Sequence, residues 1–411
     1  MNGYVLIGNG VAAAGCIEGI RSVDSDTPIT VISKEKHEVY SRPLISYYLE
    51  GKTTISKMNY RPKDFYKKNK VTVIYGNAVS ADMKAKEVTL DNGEKIGCKA
   101  VCIAAGSEPF VPPFEGLDTV EKKFTFMTID DTLALEKAIG KKSRVLIVGA
   151  GLIGLKCAEG IAKRVASVTV CDLADRVLSS ILDNECAGVM QKHLEKNGIS
   201  FMLGDTVKRF DKNNAVMKSG KKAEFDVLVL AVGVRANTQL AKDAGCDTDR
   251  GIMIDTSMKT SIDGIYAAGD CTQGFDSSTG ENRVLAILPN AYMQGRCAGI
   301  NMAGGSSEIN DAIPMNSIGF FGLHCVSAGS CPETSEVFEE KEKNSIRRLF
   351  IKDGRLAGYI IIGDVSRAGI YTSLVREKTP LDEIDVRRMK ISPSLTIYSK
   401  EIRRKKLGGV V

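Results

Sequence analysis

Eleven cysteines run from Cys16 to Cys331 without one Cys-x-x-Cys or Cys-x-x-x-x-Cys spacing. The closest pairs, Cys98 with Cys102 and Cys325 with Cys331, match no metal or redox motif. Histidine is scarce: His37, His193 and His324 are the full complement. These absences argue against an iron–sulfur cluster, a structural zinc or a catalytic metal on this chain. Long apolar runs are also missing, and none reaches the ~18 residues that a membrane-spanning helix needs. The N-terminus has no basic leader, because Tyr4-Val5-Leu6-Ile7 runs straight into glycine. The expectation is a cytoplasmic chain whose dispersed cysteines are small buried hydrophobes. Charge of one sign is lacking too. The 56 basic and 50 acidic residues leave a net +6, too little to argue for nucleic acid. The one biased stretch lies between Arg387 and Lys406, with eight Lys/Arg against a single acid, Glu401. It lacks the aromatic interleaving of a nucleic-acid surface. A solvated terminus is the expectation for it, and electrostatic docking of an acidic carrier is the alternative.

What is present is glycine in a pattern. Within a 411-residue globular composition, 43% hydrophobic and 26% charged, the apolar run Arg144–Val148 breaks into Gly149, Gly151 and Gly154. It continues as a helical pattern through Leu152 and Ile153. Asp172 ends the next apolar run at about the ~20-residue interval of a dinucleotide fingerprint. A carboxylate there accepts both adenosine ribose hydroxyls, although Arg176 lies close enough to complicate that preference. A second copy opens the chain: strand Tyr4–Ile7, then Gly8-Asn9-Gly10-Val11-Ala12-Ala13, then a helix. In each copy the glycines permit a tight turn and close approach of a pyrophosphate to a helix N-terminus. The first copy's next strand, Ile29–Ile32, ends in Ser33-Lys34-Glu35, where Glu35 is the acid for a ribose. Arg42, made rigid by Pro43, can neutralise a phosphate.

The grammar then repeats. The strand before Ala104-Ala105-Gly106 and the strand before Ala231-Val232-Gly233 both end in Ala-x-Gly and polar residues, which reads as an internal duplication. Ile265–Ala268 ends in Gly269-Asp270, and a helix opens at Leu288 with Asn290 and Ala291 in its first turn, offering free amides. The last hundred residues read as strands, a hairpin and one or two helices, with no nucleotide motif.

These motifs, in this order, resemble the FAD-dependent pyridine-nucleotide oxidoreductases of the glutathione-reductase fold. The chain looks closest to the NADH:rubredoxin and nitrite-reductase-type flavoprotein branch, from Gly8 to about Glu377. The resemblance implies an α/β fold of two Rossmann-like modules plus a C-terminal α+β domain. An FAD module (residues 1–116 and 243–309) would be interrupted by an NAD module (117–242), and followed by an interface domain with the basic tail (310–411). It assigns FAD to Gly8, Asn9, Gly10, Val11, Ala12, Lys34, Glu35, Arg42, Pro43, Val79, Ala104, Ala105, Gly106, Gly269, Asp270, Asn290, Ala291 and Phe320. NAD(H) falls to Gly149, Gly151, Leu152, Ile153, Gly154, Asp172, Arg176, Val232 and Gly233, with NADH preferred because of Asp172.

Two departures from the family pattern matter. Some relatives carry a redox cysteine after the second strand. Here no cysteine occurs between Cys16 and Cys98, so electrons are expected to leave directly from the flavin. The family's glutamate near the nicotinamide is replaced by Lys156. This lysine is either a catalytic cation beside the flavin or a structural partner of Glu159. The implied activity is an NADH:acceptor oxidoreductase feeding a rubredoxin- or ferredoxin-like iron–sulfur protein, past Phe320 and Phe321. A dedicated flavin subunit docked to an iron–sulfur subunit, as in carbon monoxide dehydrogenase or nitrite reductase systems, is the second reading. An NADH oxidase is the third. An oligomer or larger complex is compatible with each.

Overall fold

The computed structural model describes residues 3–342 and 345–408. The chain divides into two compact units: one comprises residues up to Ser179, Glu195–Phe275 and Asn282–Asn310, the other Ser180–Leu194, Asp276–Glu281 and the chain from Asp311. Among the described residues no helix is long and apolar enough to cross a membrane.

The first unit opens with β1 (Gly3–Ile7), α1 (Val11–Arg21), β2 (Ile29–Ser33), α2 (Leu44–Leu49), α3 (Phe65–Lys68) and β3 (Val71–Tyr75). An antiparallel run follows: β4 (Ala78–Asp82), β5 (Glu87–Leu90) and β6 (Lys95–Ile103). The far half of β6 turns parallel and lies beside β1, giving the order β3-β2-β1-β6-β5-β4. Tyr4, Val5 and Leu6 are wholly buried, as parallel strands covered on both faces require. The short α3 is anchored by Phe65, which enters the core.

After β7 (Ser107–Pro109) and β8 (Lys123–Phe124), α4 (Ile129–Ala138) starts at a capping box of Thr128 with Asp131. Then come β9 (Arg144–Val148), α5 (Leu152–Ile161), β10 (Ser167–Asp172), α6 (Asn184–Lys196), most of which belongs to the second unit, and β11 (Ile199–Leu203). The small antiparallel sheet β12 (Val207–Asp211), β13 (Asn214–Met217) and β14 (Lys222–Glu224) leads to β15 (Val227–Leu230). A second parallel sheet results, ordered β11-β10-β9-β15-β8. The crossover and the return are joined. β16 (Val234–Ala236) pairs antiparallel with β7, so the stretches that follow the two Ala-x-Gly segments lie side by side. The chain goes back through α7 (Gln239–Asp243), β17 (Ile252–Met253) and β18 (Ile265–Ala267), and β18 joins the first sheet beside β6. β19 (Thr272–Asp276), β20 (Glu281–Arg283) and α8 (Leu288–Met302) complete this part.

The second unit holds an antiparallel sheet of β21 (Met315–Phe320), β22 (Leu323–Gly329), β23 (Glu336–Glu342), β24 (Ser345–Lys352) and β25 (Arg355–Ile362), ordered β21-β22-β25-β24-β23. α9 (Ala368–Arg376), α10 (Val386–Ile391) and α11 (Lys400–Gly408) follow. The basic stretch is therefore not a loose terminus. Ile384, Met389, Ile397 and Tyr398 enter the hydrophobic core of this unit, and Lys406 is ion-paired with Glu377. Apolar residues between the charges supply that anchoring.

Candidate functional site

The two glycine turns are built alike. In the first, Gly8 has φ +114 and a Cβ there would lie 2.1 Å from the Ala104 carbonyl oxygen. In the second, Gly149 has φ +117 and a Cβ would lie 2.2 Å from the Ala231 oxygen. Both positions therefore demand glycine to make the turn. The backbone bonds correspond as well: Gly8 N–H donates to Ile32 O at 2.8 Å, and Gly149 N–H donates to Cys171 O at 2.8 Å. The middle glycines differ from these. Gly10 and Gly151 are extended, and a methyl group added to either would have nothing within 4 Å. Each is the N-cap of its helix, with no side-chain cap bond. The N–H groups of Val11 and Ala12, and of Leu152 and Ile153, lie in the first turns, where a helix gives them no partner of its own, and the open space at each cap suits an anionic pyrophosphate. Gly154 allows tight packing, since its Cβ would sit 2.0 Å from Gly149 O.

Around the first turn, Asn9 is bonded at both ends of its amide. Its Nδ2 donates to His37 O at 3.2 Å and its Oδ1 accepts from the Tyr66 hydroxyl at 2.8 Å. It clamps the loop that carries the exposed Lys34 and the half-buried Glu35. Glu35 accepts from the Tyr40 hydroxyl at 2.6 Å and is ion-paired with Arg42. Arg42 also donates to Met127 O, and Pro43 caps α2. Burial pushes the Tyr40 phenol up. Val79 lies exposed on β4, close in sequence to Gly76, whose N–H donates to Ser33 O at the end of β2.

Gly269 brings three elements together: a Cβ on it would meet the Ala12 Cβ at 3.1 Å and the Ala291 Cβ at 3.5 Å. Gln294 holds this junction by accepting from Gly269 N–H at 2.8 Å and from the Thr272 hydroxyl at 3.0 Å. Asp270 follows, half-buried. Burial raises its pKa and the Arg42 guanidinium lowers it, with a net rise. Asn290 Nδ2 donates to Leu285 O, while its buried Oδ1 has no partner among the described residues. Gly106 has φ +64 and open space beside it, and Asn237 holds it by donating to Ala105 O and Gly106 O. The structure therefore gathers Gly8–Ala12, Arg42, Gly269, Asp270 and Ala291. Phe320 belongs to the second unit. Its side chain is 0% exposed, so Phe321, at φ +47 on the hairpin tip, is the part-exposed aromatic of the pair.

At the second turn, Asp172 Oδ2 accepts from Ala150 N–H at 2.6 Å and Oδ1 from Ala174 N–H at 2.8 Å. Leu178 N–H donates back to Ala150 O at 2.9 Å. Arg176 pairs with Asp175 at 3.0 Å. Gly233, at φ +117, is exposed with open space beside it. Val232 precedes it, half-buried. Lys156 Nζ lies 2.6 Å from Glu159 and 5.2 Å from the Tyr47 ring of α2. The pair is 16% and 5% exposed.

Motif reasoning passes over a second glycine pattern, although its spacing is plain in the sequence: glycines four apart on α1 (Gly15, Gly19) and on α8 (Gly295, Gly299). A Cβ on Gly295 would lie 1.9 Å from Ala12 O, and one on Gly299 would lie 2.1 Å from Cys16 O. The helices touch backbone to backbone, and this fixes the free N-terminus of α1 beside that of α8. Ten of the eleven cysteines are buried and all are unpaired, with only Cys331 exposed. No group of metal-ligating side chains occurs among the described residues.

Open space at Gly10 and Gly151, the unpartnered Asn290 Oδ1 and the half-buried Asp270 fit two dinucleotides, one of them a flavin. Comparison with known proteins agrees. Residues 3–295 match the pyridine nucleotide-disulphide oxidoreductase family, and residues 314–379 match the rubredoxin NAD+ reductase C-terminal domain. The NADH-dependent phenylglyoxylate dehydrogenase subunit epsilon of Aromatoleum evansii is 32% identical over 92% of both chains. An NADH oxidase of Methanocaldococcus jannaschii is 33% identical over 87% of both. A ferredoxin reductase of Rhodopseudomonas palustris has the same fold, with a TM-score of 0.85 over 92% of this chain and 96% of its own at 24% identity. With a family match spanning well over half its length, the chain belongs to the pyridine nucleotide-disulphide oxidoreductases, the enzymes that use FAD and NAD(H).

Proposed function

We propose that this chain takes electrons from NADH onto FAD and passes them to an iron–sulfur protein of the rubredoxin or ferredoxin type. The observation that carries the reading is the pair of equivalent cradles, both open at the middle glycine, in a chain whose buried thiols offer no relay. Bound flavin supplies the chemistry, accepting hydride and releasing electrons singly. The chain's own residues hold and orient. Gly8, Gly10 and the N-terminus of α1 take the FAD pyrophosphate. Glu35 has two carboxylate oxygens with about four acceptor sites, so a ribose hydroxyl can share it with Arg42 and Tyr40. The adenine is assigned to the neighbourhood of Val79. Asp270 receives hydroxyl donors, and Asn290 and Ala291 face the polar edge of the ring. Gly149, Gly151 and the N-terminus of α5 take the NADH pyrophosphate. Asp172 likewise has acceptor sites beyond those that Ala150 and Ala174 use. Lys156, the candidate catalytic cation, is assigned instead to holding α5, because Glu159 balances its charge. The unpaired thiols support a reducing, cytoplasmic setting.

A second reading has one observation in its favour: a relative that matches along almost the whole chain is named as a subunit. In that case the iron–sulfur acceptor is a permanent partner, and the native protein elutes with it at fixed stoichiometry.

Anaerobic stopped-flow tests the main reading. NADH is expected to bleach the flavin faster than NADPH, and rubredoxin or ferredoxin to reoxidise it faster than O₂. Faster bleaching by NADPH defeats the nucleotide assignment. Faster reoxidation by O₂ than by either carrier makes the chain an oxidase.

A further inference from the structure

The loop that leaves β10 contains a cation where NADH selection needs none. Arg176 stands four residues past Asp172, on the strand-end loop assigned above to the adenosine ribose. A guanidinium in such a place is well suited to a phosphate, which it can grip through two parallel hydrogen bonds. On its own it would favour a 2′-phosphorylated nucleotide and oppose Asp172.

The structure shows how Arg176 is occupied. Its Nη1 lies 3.0 Å from Asp175 Oδ1, and its Nη2 donates to Ser179 O at 3.4 Å. Asp175 is 74% exposed and Arg176 33% exposed, so the pair sits at the surface. Hydrogen bonds tie down the loop around it. Asp172 is tied to Ala150 and Ala174, Leu178 N–H to Ala150 O, and Gly204 N–H to Ala174 O at 2.9 Å. Leu178 holds its place at φ +52, a costly backbone for a branched side chain. The neighbouring acid, Asp205, is engaged elsewhere: its carboxylate accepts from Ser219 and Thr206, and the Lys221 charge helps to lower its pKa.

We propose that Asp175 is a second determinant of nucleotide choice, holding Arg176 so that a 2′-phosphate meets two carboxylates and an already neutralised guanidinium. This rests on the assignment of Asp172 to an unphosphorylated ribose. Asp172 selects by accepting hydroxyls. Asp175 selects by withholding the guanidinium that a phosphate would need.

The test is calorimetric titration of the FAD-loaded chain with two probes, 5′-AMP and adenosine 2′,5′-bisphosphate, at low salt. Asp175→Asn is expected to improve the affinity for the bisphosphate by about tenfold, the effect of one partly screened charge contact. Its affinity for AMP stays within about twofold of the wild type. Asp175→Asn/Arg176→Gln is expected to lose the gain. The proposal is overturned if Asp175→Asn leaves the ratio of the two affinities unchanged, or if the double variant keeps the gain. A different result defeats the underlying reading alone: unaltered protein that binds the bisphosphate more tightly than AMP. Asp175 is exposed, so Asp175→Asn does not put folding at risk, and circular dichroism of the double variant checks that it is folded before titration.

Discussion

Replacing Lys156 by Met removes the nearest cation from Glu159, which is 5% exposed. Breaking a buried pair by deleting one partner costs about 3–5 kcal/mol, because the remaining charge has lost both water and partner. Two facts reduce that here. Lys156 is itself 16% exposed, and Lys52 lies close enough to Glu159 for their charges to interact. The cost is then about 2–3 kcal/mol. Urea unfolding at pH 7, followed by circular dichroism, measures it for Lys156→Met, Glu159→Gln and the double variant. The double is expected to be more stable than the sum of the singles, with a coupling above about 1 kcal/mol. Coupling below about 0.3 kcal/mol refutes the argument, because it means that solvent already screens the pair. The flavin reduction potential provides an independent check. If Glu159 balances the charge of Lys156, the double variant keeps the wild-type potential, and a fall in potential returns Lys156 to the chemistry.

Three further outcomes follow from the geometry. Gly151→Ala is expected to fold normally and to raise KM for NADH by about tenfold, since its methyl enters the space of the pyrophosphate. Gly149→Ala should fail to fold, because its methyl meets Ala231 O, and a soluble Gly149→Ala with unchanged KM would contradict this division. Asp270→Asn is expected to stabilise the FAD-free chain while weakening FAD binding. Burial raises the folded pKa of Asp270, so folding favours its neutral form. The advantage of the variant is therefore complete above that raised value and vanishes as pH falls below the unfolded value of 3.8. Thermal unfolding across pH reads it, and an advantage that grows toward acid would reverse the sign. Finally, a bulky disulfide reagent should titrate one thiol in the native protein, Cys331, and slowly at neutral pH because burial pushes that thiol up to about 11, and a second reacting thiol would show that the core opens.

The glycine turns were legible because their requirement is local. A positive φ favours glycine at Gly8 and Gly149 whatever surrounds them, and the Ala104 and Ala231 carbonyls, brought in from distant strands, add a second exclusion. The duplication was legible for the same reason. The pairing of its two mirrored segments as β7 and β16 was not, because it depends on a contact between distant parts of the chain. The position of Glu35 after β2 suggests a ribose ligand, but its engagement with Tyr40 and Arg42 is a matter of side-chain rotamers across a loop. Lys156 is ambiguous from spacing alone, and the 2.6 Å contact with Glu159 supports the structural role proposed for it. In the tail, charge counting misleads because the apolar residues decide: Met389, Ile397 and Tyr398 recur between the basic residues, Ile384 just precedes them, and together they hold it in place.

Arg348 on β24 contacts three carboxylates, Asp183, Glu185 and Glu339, and Lys341 bridges the last two. Two of those acids come from Ser180–Leu194, far upstream in sequence, yet they belong to the same compact unit as the C-terminal sheet. The unit is thus assembled from three separate stretches of chain. A clone beginning at Asp311 would express the sheet with Arg348 deprived of two of its anions, and no single protease cut could release the unit intact. Any graft of this C-terminal region onto another reductase would have to carry the upstream stretch along with it.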